Sequence, residues 1–273
     1  MDAILLAAAL LPAIALMVYV YNRDKVEREP VGLVLRVLLL GALSGLVAAF
    51  IESVLIDVFE STLSGAFLII VEYFIGVAAV EEACKYAALS SVKNNPAFNH
   101  IFDAVVYAVA AALGFAALEN VFYVFDPIDG GLDTAFWRAI LSVPGHAADG
   151  VVMGVFFGIA RRRELHGEPG ARTYYWLAWL LPVIEHGFYD AALSTESDFM
   201  ALVAMASDLA FIAIAFALVK RTASKDAPLH PKPPAPTLTQ APAPIASPNW
   251  TCPSCGAPNS GNFCIHCGAR RPE

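Results

Sequence analysis

The amino-acid sequence predicts an all-α polytopic membrane protein that ends in a small cysteine-rich module. Apolar residues make up 58% of its 273 residues, above the roughly 45–50% of soluble domains. Charged residues make up 15%, and the mean hydropathy is +0.61. Four of the five cysteines lie after residue 251. This much apolar surface requires a bilayer, which excludes a purely soluble enzyme.

Seven apolar runs predict seven transmembrane helices, because about 20 residues cross a hydrocarbon core of roughly 30 Å. They lie at 3–20, 32–55, 65–92, 101–125, 137–160, 174–193 and 199–219. The loops between them are short, so chemistry before residue 220 must lie in or beside the membrane. A cleaved signal peptide is a weaker interpretation of the first run, since the basic residues follow it.

The loop charges predict the orientation, because Lys and Arg accumulate in cytoplasmic loops. Alternate loops are basic: Arg23, Lys25, Arg28, Lys93, Arg161, Arg162, Arg163, Arg172, Lys220, Arg221 and Lys225. The other loops are acidic: Asp57, Glu60, Asp126, Asp129, Asp133, Glu196 and Asp198. We therefore predict a multi-pass cell-membrane protein whose amino terminus lies outside and whose tail is cytoplasmic.

Composition divides the chain into three parts. Residues 1–221 form the predicted membrane body, and residues 222–249 are dense in proline and poor in large apolar side chains. Such a segment cannot bury a core and predicts an extended linker. It tethers residues 250–273. The net charge of −8 leaves no basic surface for phosphate backbones, so nucleic acid is not expected as a partner.

Two C-x-x-C pairs, each followed by glycine, lie in the tail: Cys252, Cys255, Cys264 and Cys267. Four cysteines at this spacing are typical of a tetrahedral structural zinc site on the reducing side of a membrane. His266 is expected to be exposed, because four thiolates already complete the site. The segment resembles the short zinc ribbons of many prokaryotic membrane proteins. We expect it to bind structural zinc and an unidentified cytoplasmic partner.

Ionisable side chains inside the membrane are costly unless they are paired or face a cavity, so they mark functional candidates. They are Glu81, Glu82 and Lys85 in the third run, Glu119 in the fourth, His146 in the fifth, and His186 and Asp190 in the sixth. Lys85 follows the two glutamates by four and three residues and can pair with both on one helix face. His186 and Asp190 also share a face, as a histidine and its orienting carboxylate would.

Carboxylates and imidazoles that converge in a low-dielectric cleft suit hydrolysis, with a glutamate as the base towards water. A helical rise of about 1.5 Å places Glu119 and the two histidines roughly 9–14 Å from the outer membrane face. Glu81 and Glu82 lie nominally about 24 Å deep. A tilt or a later membrane entry of the third helix would bring all of them into one layer, nearer the extracytoplasmic face.

These residues resemble the EExxK, FxxxE and HxxxD motifs of the PrsW family of intramembrane proteases, which is distantly similar to the CAAX prenyl proteases. The motifs are Glu81-Glu82-x-x-Lys85, Phe115-x-x-x-Glu119 and His186-x-x-x-Asp190. The resemblance covers roughly residues 30–195. It implies that the glutamate pair activates water, that Lys85 pairs with it, and that Glu119, His146 and His186 line the same centre. It also implies cleavage of a membrane-anchored regulator such as an anti-sigma factor. Zinc at this centre and a metal-free glutamate mechanism are both compatible with the residues.

Less specific interpretations exist for each residue. The glutamates with Lys85 can be a structural ion-pair cluster, Glu119 with Asn120 can bond helices together, and His146 can be a packed histidine. Asp149, Glu185 and Asp208 are expected to be structural or cavity-lining, and Asp103 to be solvated near a helix end. Gly145, Gly150, Gly154 and Gly158 predict close helix packing. The rival functions are a transporter or proton-coupled channel, which would show broken inverted repeats, and a non-catalytic scaffold.

Overall fold

The computed structural model describes residues 1–230, 250–259 and 261–272, which belong to two units, Met1–Pro231 and Lys232–Glu273. The helices of the first unit are α1 (Asp2–Tyr21), α2 (Val31–Thr62), α3 (Gly65–Val71), α4 (Ala79–Ser90), α5 (Ile101–Val124), α6 (Leu132–Ile140), α7 (Ser142–Leu165), α8 (Ala171–Leu193) and α9 (Asp198–Ser224). A π-helical segment, Glu72–Ala78, joins α3 to α4.

Each of the seven predicted runs is helical, which confirms the all-α polytopic class. Among the residues that the structure describes, five stretches are long and apolar enough to cross a membrane: α1, α2, α5, α6 together with α7, and α9. The other two runs, α3 to α4 and α8, contain most of the charged motif residues, and these lower their hydropathy. The candidate site is therefore built largely on the least apolar helices.

Two helix boundaries differ from the prediction. Helix α2 continues to Thr62, so Asp57 and Glu60 lie on its last turns and not in a loop. The fifth run begins earlier, as the short helix α6, and the chain bends at Leu141 before α7. Pro144 follows this bend in the first turn of α7, where a missing backbone N–H breaks no helical hydrogen bond.

Helix α5 is the centre of the bundle, because every residue from Phe102 to Ala116 is buried. A helix that is apolar on all sides is typical of such a position. The backbones of α5 and α7 are in direct contact, since a Cβ atom on Gly154 of α7 would lie 2.5 Å from the Cα atom of Val105 of α5. Gly150 and Gly158 also meet the α5 backbone, at 3.0 and 2.8 Å. The glycine stripe is thus a close-packing surface, as predicted.

The basic loops meet at one end of the first unit. Lys93 pairs with Glu164 at 3.0 Å, and the amide of Leu229 donates to the carbonyl of Asn99 at 2.7 Å. Asp103 also lies here and is 1% exposed, so the expectation that it is solvated is wrong. Its carboxylate is buried because it caps α5, accepting from the amides of Asn99 and His100 at 2.8 and 2.6 Å.

The predicted linker begins later than residue 222. Residues 222–224 complete α9, and Leu229 is fully buried against the helical unit. Two side chains hold this stretch in place. The side chain of Leu229 is buried, and the carboxylate of Asp226 accepts from the amide of Phe102 at 2.9 Å. Residues 231–249 of the predicted linker lie outside the described residues.

The second unit contains the antiparallel strands β1 (Trp250–Thr251) and β2 (Pro258–Asn259). Its two C-x-x-C pairs form the same turn. The amide of Gly256 donates to the carbonyl of Cys252 at 2.8 Å, and that of Gly268 donates to Cys264 at 2.9 Å. Both glycines have positive φ, +73° and +75°, a conformation that strains other residues.

Candidate active site

Lys85 is the centre of a buried polar cluster in the helical unit. Its ammonium group donates to Glu81 Oε2 at 3.1 Å, to Glu82 Oε1 at 2.7 Å and to His146 Nδ1 at 2.9 Å. All three of its donors are used. Lys85 is fully buried, and its Nζ atom also lies 4.5 Å from the ring centre of Phe115. The predicted pairing of Lys85 with both glutamates is present, and α7 adds the histidine.

The hydrogen bonds of His146 define its tautomer. Because Nδ1 accepts from Lys85, the ring proton is on Nε2, which donates to Glu119 Oε2 at 2.8 Å. Arg138 lies on the other side of Glu119, with its Nη2 atom 2.9 Å from Oε1. A chain of contacts therefore runs from Arg138 through Glu119 and His146 to Lys85. It holds the imidazole in one orientation.

His186 lies between three carboxylates. Its Nδ1 atom is 3.0 Å from Glu82 Oε1, and its Nε2 atom is 3.2 Å from Asp190 Oδ2 and 3.8 Å from Glu81 Oε2. Carboxylate oxygens cannot donate hydrogen bonds. Each ring nitrogen of His186 therefore carries a proton, unless a metal ion takes the place of one of the two protons. The predicted pair of His186 and Asp190 on one helix face is present, and the ring also reaches α4.

The two imidazoles meet, with ring centres 5.3 Å apart at an interplanar angle of 87°. All seven predicted site residues therefore belong to one connected cluster in one layer. The third run is not a uniform α-helix, because it contains the π-helical segment Glu72–Ala78, whose i→i+5 hydrogen bonds give more residues per turn than an α-helix has.

A cavity of about 760 Å³ lies beside the cluster. Glu81, Glu119, His146, His186 and Asp190 line it. The cavity extends to Tyr123, Trp137 and Ser194, near the loops that carry acidic residues. Asp149, Glu185 and Asp208 line it as well, in agreement with the cavity-lining role expected for them.

Two residues near the site were not predicted, Arg138 and Glu52. Glu52 of α2 lines the cavity. Arg138 donates from Nε to Asn120 Oδ1 at 2.5 Å, and Asn120 donates to the carbonyl of Ala9 at 2.8 Å, so α1 is tied to the site. A signal for Arg138 existed, because it is the sole basic residue in the acidic stretch 126–140. A signal for Glu52 also existed, because it is an ionisable side chain inside the second predicted run, 32–55.

The cluster offers ligands suited to a metal ion. Glu81, Glu82, His146 and His186 each place one ligand atom within 4.8 Å of the other three. Imidazole nitrogens and carboxylate oxygens are the donors of catalytic zinc sites. Within the described residues, Glu82 Oε2 is buried and has no hydrogen-bond partner. The donor set and this unpaired oxygen fit a bound cation.

The four tail cysteines form a second group of candidate ligands. Their sulfur atoms lie within 4.8 Å of one another, with Cys252–Cys267 at 3.6 Å and Cys255–Cys264 at 3.5 Å. These distances exceed the roughly 2.05 Å of a disulfide and approach the roughly 3.8 Å between thiolates on tetrahedral zinc. His266 is exposed and is not in the group. The cluster can hold a metal ion.

Backbone amides prepare one of these sulfurs for metal binding. Desolvation opposes ionisation of Cys264, but hydrogen bonds from the N–H groups of Cys267 and His266 and from the thiols of Cys255 and Cys267 outweigh it and lower the pKa of the Cys264 thiol to about 6. A thiolate is the form that binds metal. The turns described above present these amides to the sulfur.

Comparisons with known proteins identify the family. The family model described as PrsW family intramembrane metalloprotease matches residues 29–219. Protease PrsW of Geobacillus kaustophilus is 35% identical over 68% of this chain and 78% of its own length. Protease PrsW of Oceanobacillus iheyensis is 34% identical over 71% of this chain and 85% of its own. Protease PrsW of Bacillus subtilis is 34% identical over 72% of this chain and 85% of its own length.

No solved structure matches the chain. The family match covers α2 to α9 and includes every motif residue of the buried cluster. The tail lies outside it. The chain belongs to the PrsW family of intramembrane metalloproteases.

Proposed function

We propose that the buried cluster hydrolyses a peptide bond of a membrane-anchored protein substrate. The observation that carries this proposal is the convergence of Glu81, Glu82, His146 and His186 beside a cavity. A cavity of about 760 Å³ accommodates several residues of an unwound substrate strand. The substrate class is a single-span protein, of which an anti-sigma-factor-like regulator is one example.

Glu81 is the general base in this proposal. It lines the cavity, where water and the scissile carbonyl meet, while Glu82 is fully buried and bonded to Lys85 and His186. Glu82 therefore anchors the cluster. Lys85 holds both carboxylates in place through its two hydrogen bonds to them.

The remaining residues position the histidines. Asp190 orients His186, and Glu119 with Arg138 orients His146. Such outer partners tune a histidine without replacing it. Glu82, His146 and His186 are the residues that would hold a zinc ion, which leaves Glu81 free to act as the base. When bound, zinc supplies a Lewis acid and lowers the pKa of water.

Cleavage occurs near the extracytoplasmic side in this proposal. The cavity reaches Tyr123 and Ser194, which adjoin the acidic loops, and loop charge assigns these loops to the outside. The amino terminus is then outside and the tail cytoplasmic. There the four cysteines bind zinc, and the ribbon offers its surface to a cytoplasmic partner.

Comparison of membrane-protein termini tests the proposed activity. Membranes from cells that express the wild-type chain are compared with membranes that contain equal amounts of folded Glu81→Gln protein. New amino termini within or beside single spans should appear with the wild-type chain alone. The same cleavage should stop when the purified enzyme is treated with a chelator and return when zinc is added. Identical termini in both membranes would contradict the proposal.

A further inference from the structure

A second group of buried carboxylates lies at the end of the unit where the basic loops meet. It consists of Asp24 and Glu29, from the loop between α1 and α2, and Asp103 of α5. Their exposed fractions are 3%, 2% and 1%. One oxygen of each lies within 4.8 Å of one oxygen of the other two. None of the three lines the active-site cavity.

Within the described residues, this carboxylate cluster forms no salt bridge with Lys or Arg. In the described part of the chain, every salt bridge to Lys or Arg is made by Glu81, Glu82, Glu119, Glu164 or Glu168. Three anionic groups at this separation cannot stay ionised in a buried site without a compensating charge. Burial raises the pKa of Glu29 to about 8 and also raises the pKa of Asp24.

Two oxygens of the cluster are left without hydrogen bonds. Asp24 Oδ2 and Asp103 Oδ1 are buried and have no donor among the described residues. Asp103 uses its other oxygen to cap α5, through the amides of Asn99 and His100, and Glu29 accepts from the hydroxyl of Tyr107. Native structures rarely leave buried polar atoms unpaired, so these oxygens point to a missing ligand.

We propose that Asp24, Glu29 and Asp103 bind one hard divalent cation, Mg²⁺ or Ca²⁺. Carboxylate oxygens are the ligands that both ions prefer. The cation supplies the compensating charge and occupies the unpaired oxygens. The site is separate from the zinc ligands proposed above, because all three of its side chains offer oxygen alone.

The cation would fasten two segments of the chain directly and lie beside a third. Asp24 and Glu29 belong to the loop after α1, and Asp103 begins α5. Asp103 also forms a cluster with His100 and Asp226 within 4.8 Å, and Asp226 lies in the segment that follows α9. The site would therefore stabilise the end of the helical unit from which the chain continues towards the tail.

Terbium luminescence tests the proposal, because Tb³⁺ replaces hard divalent cations at oxygen sites and avoids thiolates. Tyr107, bonded to Glu29, is placed to sensitise its emission. The measurement uses the full chain in zwitterionic detergent, with Glu81→Gln and Glu82→Gln to remove the carboxylates of the active-site cluster. We expect saturable emission from one ion per chain that Ca²⁺ or Mg²⁺ displaces. The more effective competitor identifies the ion.

Matched variants assign the emission to the cluster. Asp24→Asn and Asp103→Asn should each weaken Tb³⁺ binding about tenfold or more, since ligand charge sets the affinity of such sites. Asp126→Asn, in the loop at the other end, should bind as the parent does. Absence of saturable emission, or equal affinity in all three variants, would overturn the proposal.

Thermal unfolding of the wild-type chain gives an answer even if the variants fail to fold. A saturable rise in Tm with Ca²⁺ or Mg²⁺ is expected for a site of this kind, and it should persist in the Glu81→Gln, Glu82→Gln chain. Protons are the alternative way to neutralise the cluster. A Tm that rises on acidification but does not respond to either cation would overturn the cation site.

Discussion

The two histidines of the buried cluster have different surroundings. The ring of His146 carries its proton on Nε2, because Nδ1 accepts a hydrogen bond from Lys85 and Nε2 donates one to Glu119. His186 faces carboxylates with both ring nitrogens. His186 therefore contacts both Glu81 and Glu82 as well as Asp190. Asp190 contributes by holding the ring.

Substitutions at this pair should separate a catalytic role from a structural one. His186→Ala should lower kcat/KM per folded molecule by about 10²- to 10⁴-fold, and Asp190→Asn by about 10- to 100-fold, because it tunes its partner. Cleavage of a tagged single-span substrate, normalised to folded enzyme, provides the measurement. If abundance falls while specific activity stays constant, the pair is a structural ion pair.

Spacing along one helix predicted Lys85 with its glutamates and His186 with Asp190, because i,i+3 and i,i+4 neighbours share a face. It could not predict the contact between Arg138 and Glu119, which come from different helices 19 residues apart. It also could not predict that Lys85 bonds to His146, 61 residues away. Such pairs depend on how the helices cross, which periodicity does not encode.

Close packing of α5 against α7 requires glycine at position 154. Gly154→Ala should lower the free energy of unfolding by about 1–3 kcal/mol, the usual effect of overpacking, because a Cβ atom there would lie 2.5 Å from the Cα atom of Val105. Gly32→Ala on α2 is the matched control, since a Cβ atom at that position would meet no atom of the described residues within 4 Å. Equal stability of the two variants, measured by denaturant unfolding, would contradict the close packing.

The tail should bind zinc as an element of its own. In the full chain, Cys252→Ser with Cys255→Ser should lower the metal content by one zinc per molecule, because two thiolates do not complete the tetrahedral site. Proteolysis should continue, since the ribbon lies outside the region that matches the family. Elemental analysis and substrate cleavage measure the two effects. Unchanged zinc would contradict the site, and complete loss of cleavage would contradict an accessory role.

Elements were predictable to different degrees. Each long apolar run coincides with helical structure in the described residues, and the C-x-x-C spacing located the cysteine cluster. The break at Leu141, the π-helical segment Glu72–Ala78 and the attachment of Leu229 were not predicted. Apolar composition does not distinguish α-helix from π-helix, and it does not show that a short segment after a helix packs back onto the bundle.

At the scale of the whole molecule, the loop charges make a prediction about orientation. In a chain without native cysteines, a cysteine at Asp129 should react with a membrane-impermeant maleimide on intact cells. A cysteine at Ser247 should react only after permeabilisation, because the basic loops place the tail inside. The basic loops do meet at one end of the unit, as a single orientation requires. The reverse labelling pattern would contradict this topology.

The central claim is that Glu81 and Glu82 serve the chemistry of an intramembrane protease, and glutamine substitution tests it most directly. Glu81→Gln and Glu82→Gln keep the side-chain volume and hydrogen-bonding capacity but remove the negative charge. The measurement is the rate of cleavage of a tagged single-span substrate per folded, membrane-inserted molecule. We expect Glu81→Gln to lower the cleavage rate by at least about 10²-fold, as removal of a general base does. Glu82→Gln should also lower the cleavage rate, because Glu82 anchors Lys85 and His186. Full specific activity in both variants would contradict the account.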